Sequence, residues 1–130
     1  PVRRDVDVGP DELRGRTLVL VGGPRSNALT ASLSNVLPVR FEEGALVVRG
    51  QRFEGESVGV SFVTESPFDA DEYVVVHAGV SARGTLLSRN LPRLAPDFLV
   101  YDERLAARRG ELLIAGRPVL AGGLWDERFR

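Results

Sequence analysis

Four apolar runs dominate the chain. Thr17-Leu18-Val19-Leu20-Val21 is unbroken and is closed by Gly22-Gly23-Pro24, the pattern of a strand buried on both faces. Val58-Gly59-Val60-Ser61-Phe62-Val63, Tyr73-Val74-Val75-Val76-His77 and Phe98-Leu99-Val100-Tyr101 are the other three. The connection between the second and third runs turns at Ser66-Pro67-Phe68-Asp69. It is too short for a crossover helix, which predicts an antiparallel pair.

Two stretches carry helical spacing. Ser26 or Asn27 suits an N-cap, and Leu29, Leu33, Val36 and Leu37 then recur as one face over Ala28–Val36 until Pro38 stops it. Ser81–Leu94 has a stripe of Leu86, Leu87, Leu91 and Leu94, shortened by Pro92 and Pro96. Val39–Phe41, Ala45–Val48 and Arg52-Phe53 are short strands between glycine turns, expected as a hairpin decoration at a sheet edge. Pro1–Arg16 reads as a linker with one helical turn after Pro10. Arg104–Arg109 reads as a helical turn or loop. Glu111–Ile114 and Val119-Leu120 flank Ala115-Gly116-Arg117-Pro118 as a terminal hairpin, and the Trp125 tail either packs back or continues into a neighbour.

Strands alternating with helices predict a three-layer α/β domain over residues 17–130. Its sheet is expected to be mixed but mostly parallel, with flanking helices, Rossmann-like or flavodoxin-like in character, with edge hairpins. The 130 residues suit one domain, and 43% hydrophobic content allows a core. A net charge of −1, with 27% charged residues, argues against a nucleic-acid partner. No apolar run approaches the roughly 20 residues of a membrane span. The absence of Met, even at position 1, suggests a fragment of a larger protein. The absence of Cys removes disulfides, thiolate metal sites and a Cys nucleophile. All 17 basic residues are Arg.

In a parallel sheet, ligands gather beyond the carboxyl ends of the strands. Two loops would open there: Gly22, Gly23, Arg25, Ser26 and Asn27 in one, His77, Gly79 and Ser81 in the other, leading to Arg83. Glycines admit a close backbone, each loop precedes a helix start, and Arg25 and Arg83 add charge, so an anion or nucleotide is one reading. The plainer reading is a tight turn followed by a cap, since neither phosphate-loop pattern is present. His77, the only histidine, could serve a minimal hydrolase with Ser26 or Ser81 and Asp102. Gly79-Val80-Ser81-Ala82-Arg83, however, ends in Arg where a nucleophile elbow needs Gly. Asp69, Asp71 and Glu72 lack a calcium-loop pattern, so no metal and no cofactor is expected. Arg3, Arg4, Arg104, Arg108 and Arg109 sit near acids as a solvated surface.

The ordered blocks Leu18–Asn27, Leu37–Phe41, Val58–Val63 with Ser66-Pro67-Phe68, Tyr73–Gly79 and Pro96–Tyr101 resemble a C-terminal module of bacterial prolyl-oligopeptidase-like or esterase-like α/β-hydrolases. They are also similar to domains of archaeal surface-layer proteins. The resemblance implies a non-catalytic accessory domain, packed on a catalytic domain of the same chain in a secreted or envelope protein. It implies no transferable catalytic residue. The asparagine-proline pair usual in the loop after the second strand is missing after Val63.

Overall fold

The computed structural model describes residues 1–108 and 119–130. It is a two-layer, mostly β structure. In chain order the elements are β1 (Leu18–Val21), α1 (Ala28–Ser32), β2 (Val39–Glu42), β3 (Ala45–Val48), β4 (Gln51–Glu54), β5 (Gly59–Glu65), β6 (Tyr73–Gly79), α2 (Ala82–Leu87), β7 (Phe98–Tyr101) and β8 (Val119–Gly123). One sheet has the order β1-β6-β5-β7-β8, and a separate three-stranded sheet runs β2-β3-β4.

This corrects the expected three-layer, mostly parallel, Rossmann-like or flavodoxin-like α/β fold. Among the described residues only β1 and β6 pair in parallel; β5–β6, β5–β7 and β7–β8 are antiparallel. The short return from β5 to β6 forces their antiparallel pairing, and β7 then takes the other side of β5. The three small strands do not decorate the edge of the large sheet. They form an antiparallel sheet of their own that packs on its face.

The helices are also shorter than their apolar spacing suggests. In α1 the Ser32 hydroxyl donates to the Leu29 carbonyl at 2.8 Å, and Ser34 donates to that of Thr30 at 3.2 Å. Such back-bonding competes with the helical ladder, and Pro38 follows. After α2 the chain tightens into a turn at Ser88–Asn90 before Pro92. The expected helical turns after Pro10 and near Arg104 are present at Pro10–Leu13 and Glu103–Arg108. The hairpin expected over Glu111–Ile114 lies outside the described residues; Val119-Leu120 opens β8.

Alternation decides where the core sits. Val60, Phe62 and Thr64 of β5 stand opposite Ala78, Val76 and Val74 of β6. Leu20 of β1 and Phe98 and Val100 of β7 join the same face. From the small sheet come Val39, Leu46, Val48 and Phe53, and the two layers share one cluster. The Trp125 tail packs back onto it. Its ring stacks on Phe98 at 4.4 Å between centroids, and its indole N–H donates to the Val63 carbonyl at 2.7 Å.

Two backbone features lock the layers. Arg49 (φ 50) and Gly50 (φ 77) form the two-residue turn between β3 and β4. Such turns need positive φ at both positions, and a non-glycine residue there costs about 1–2 kcal/mol. Its guanidinium lies 5.1 Å from the Phe98 centroid and 5.5 Å from that of Trp125, and donates to the Leu124 carbonyl. On the other side, α2 presses directly on the strands. A Cβ on Gly59 would lie 2.5 Å from the Tyr101 ring, and one on Gly84 would run into the Val58 carbonyl. The first sixteen residues lie against this body: Leu13 is buried, and the Gly15 N–H donates to Asp69 at 2.9 Å.

Candidate functional site

The parallel pairing of β1 with β6 sets Val21 beside His77. The loops that follow therefore open on one edge, as the sequence suggested. Between them lies a cavity of about 450 Å³ whose walls include Gly23, Arg25, Ser26, Gly79 and Ser81, together with Phe41, Glu42 and Glu43 of the small sheet. Gly22, Asn27 and His77 do not line it.

The Gly22 N–H, the Gly23 carbonyl and the Ser26 and Asn27 side chains of the first loop each have a partner inside the fold. Gly22 has φ 111, and a Cβ there would meet the Ser26 Oγ at 2.6 Å, so the turn requires glycine. The Gly23 carbonyl accepts from the backbone N–H groups of Ser26 and Asn27, each at 3.0 Å, and the Ser26 hydroxyl donates to it at 3.3 Å. Asn27 is the N-cap of α1: its Oδ1 accepts from the Thr30 N–H at 3.0 Å while its Nδ2 donates to the Val21 carbonyl at 3.2 Å. The next free donor, the Ala28 N–H, is taken by the Asp5 carboxylate. The place proposed for a bound anion is thus filled by the chain's own side chain. Glu42 and Glu43 beside Arg25 further offset any positive potential there.

The second loop is built for packing. Ser81 caps α2, accepting from the Arg83 N–H at 3.1 Å and donating to the Glu56 carbonyl at 2.6 Å. Gly79 lies under α2, where a Cβ would collide with the backbone of Gly84 and Thr85. Its role is close approach of helix to strand.

His77 points to the opposite face from the core, toward a second cavity of about 420 Å³ with Ser61, Ser88, Arg93 and Asp97 in its walls. Its Nδ1 lies 2.9 Å from the Ser61 Oγ. Burial pushes the ring's pKa below its ordinary value, which keeps it neutral and able to accept that proton. Ser61 and His77 are direct cross-strand partners. The sequence paired His77 with Ser26 or Ser81 and missed Ser61. The register carries the signal: the Ser66 N–H bonds the Glu72 carbonyl at 2.9 Å, and counting inward from that closing pair brings Ser61 opposite His77.

The proposed hydrolytic set is not assembled. Ser26 and Ser81 are engaged with backbone carbonyls, and His77 with Ser61. The Asp102 carboxylate bonds the Arg104 Nε at 2.9 Å. Burial alone would raise that carboxyl, but the bonds and charge of Arg104 outweigh it and hold the pKa below its ordinary value. Asp97, which shares the cavity wall with His77, accepts from the Trp125 backbone N–H at 2.8 Å. Asp69 serves its own turn at the Asp71 N–H, 3.2 Å away, and Glu72 accepts from the Thr17 hydroxyl at 2.8 Å. Arg3 and Arg4 pair with Glu12 and Asp7 at 3.7 and 2.7 Å.

No helix among the described residues is long and apolar enough to cross a membrane. Comparison with family models, curated proteins and solved structures finds no match to this chain. The expected association with a hydrolase gains no support from them, and the Rossmann-like description is overturned by the two-sheet topology.

Proposed function

We propose that this chain is a non-catalytic interaction domain that docks an apolar surface of a neighbouring domain on the open face of β1 and β6. The observation that carries this is the strip Val19, Val21 and Val75. Val19 and Val21 are each 59% exposed although they belong to a strand of nearly unbroken apolar character. Val19 stands beside Val75, and Val21 beside His77, on one side of the sheet. Contiguous exposed apolar surface of this kind marks contact sites. The engaged serines and aspartates described above agree with a domain that binds rather than reacts.

A photo-crosslinking side chain at position 19, in the protein expressed in its host, is expected to give one discrete adduct that Val21→Glu removes. The same group at position 124, where Leu124 is 67% exposed just past β8, the strand at the opposite edge of the sheet from β1, is expected to give none. Equal adducts at both positions would count against docking. Ester or peptide turnover by the purified protein that His77→Ala or Ser61→Ala abolishes would overturn the non-catalytic reading.

A second reading, a small-molecule site, is favoured by the edge cavity itself. With Asp5 on α1 and two glutamates in the wall, its ligand is a neutral polar molecule rather than a phosphate. Its expected signature is a rise in Tm with such a ligand that Ser81→Ala leaves in place and Gly23→Val removes.

A further inference from the structure

A third cavity lies away from both the sheet face and the predicted edge. It is a cleft of about 710 Å³ between the β3–β4 turn, the end of β5 and the C-terminal segment. Four arginines, Arg40, Arg49, Arg128 and Arg130, face it against one carboxylate, Glu65. In a chain of net charge −1 this is a basic island. Arg40 is paired with Glu42 at 2.9 Å. Among the described residues, Arg49, Arg128 and Arg130 make no ion pair with a carboxylate. Asp126 spends its carboxylate on the backbone, accepting from the N–H groups of Arg128 and Arg130 at 2.9 Å each. Three guanidinium groups are left with unfilled donors at one opening.

The site is also built at a backbone cost. Asparagine or glycine would suit position 49, whose φ is 50. An arginine there instead ties the turn to Phe98, Trp125 and the tail, and fixes one wall of the cleft.

We infer that this cleft binds an acidic peptide segment. Guanidinium forks hold carboxylates in bidentate pairs, and three of them, Arg49 on the β3–β4 turn and Arg128 and Arg130 on the tail, suit several carboxylates along one segment. The volume far exceeds that of a single small anion, and Trp125, Phe129 and Pro67 supply apolar wall for the stems of its side chains. Nucleic acid fits less well. Trp125 is already stacked on Phe98 and only 9% exposed, and Phe129 is half-buried against Tyr73 and the core, so neither ring presents a fully open face to a base.

Trp125 is the only tryptophan and lines the cleft, so its fluorescence reads occupancy. Titration with a hexaglutamate peptide is expected to change its emission saturably, with an affinity that falls as salt rises. Arg128→Gln with Arg130→Gln is expected to weaken binding by about tenfold or more at unchanged Tm. Arg104→Gln, remote from the cleft, is expected to leave it alone, and hexaglutamine is expected to give no response. The inference is overturned if hexaglutamate gives no response, or if the double variant binds as tightly as the parent. It is equally overturned if citrate, inorganic phosphate or oligothymidylate competes at the peptide's own concentration.

Discussion

The two faces of the five-stranded sheet are made by the same strands and have opposite fates. On one, Val74, Val76 and Ala78 are fully buried under the three-stranded sheet. On the other, one residue out of step, Val75 and His77 are only partly covered, and Val19 and Val21 beside them stand open. A period of two separates a core from a contact surface. Valine content therefore says little about burial here; the packing of the second layer says nearly everything. The comparison is sharpest when equivalent substitutions are made on both faces.

The largest difference is expected at Phe62, which is 2% exposed on the core face. Phe62→Ala should cost about 3–5 kcal/mol, because it leaves a cavity between two sheets that cannot both close on it. Urea denaturation with an unchanged m-value would measure this. A loss below 1 kcal/mol, roughly what exposed sites show, would mean that the two sheets are not packed as described.

The second effect belongs to the covered part of the outer face. Gly84→Ala is expected to destabilise by about 1–3 kcal/mol, since α2 must lift off the Val58 carbonyl. Helix propensity alone would make the same change favourable by up to about 1 kcal/mol. The sign of the Tm shift therefore decides between close packing and a loosely lying helix.

These strands were legible before the fold was. The runs Thr17–Val21, Val58–Val63, Tyr73–His77 and Phe98–Tyr101 mark β1, β5, β6 and β7 by apolar continuity, and the short return at Ser66–Asp69 sets β5 against β6. The layer order was not legible. Nothing local in Phe98–Tyr101 states whether it runs with or against β5, and Val39–Phe41 alternates as well in an edge decoration as in a second sheet. Of the candidate site, the shared opening of the two loops followed from the parallel β1–β6 pair. Asp5 at the start of α1 and Ser61 beside His77 were hidden because each depends on a contact far away in sequence. The basic cleft was hidden for the same reason: Arg40, Arg49 and Arg128 are scattered, and only the turn and tail bring them together.

His77 gives a smaller and pH-dependent difference between the faces. Folding lowers its pKa from an ordinary 6.5 by desolvation, so the folded state favours the neutral ring. Above the unfolded value both states are neutral and the contribution is full. As pH falls from there toward the folded value, the unfolded chain takes up its proton first and stability declines. Tm is therefore expected to fall between about pH 7 and pH 5, and His77→Asn, which keeps a polar partner for Ser61, should flatten that limb. Carboxylate-linked losses at Asp69, Asp102 and Asp126, whose ordinary value is 3.8, come at lower pH and should persist in the variant. An unchanged slope in His77→Asn would remove the histidine from the acid response.

The smallest effect is expected at Val21, and set against the same change at Val76 it is the most direct test of the two-face comparison, because the chemistry is held constant. Val76→Thr places a hydroxyl at a position with no exposed surface, where burying it without a partner costs about 1–3 kcal/mol. Val21→Thr makes the same change four residues into β1 on the open side, where water supplies the partner, and is expected to stay within about 0.5 kcal/mol. Matched chemical denaturation of the two variants measures the ratio. Equal costs would mean that Val21 is already covered in the isolated chain, and the open face would then have no docking role to fill. A near-zero cost at Val21 alongside loss of the position-19 crosslink would instead separate binding from folding: the same residue would matter to the partner and not to the fold.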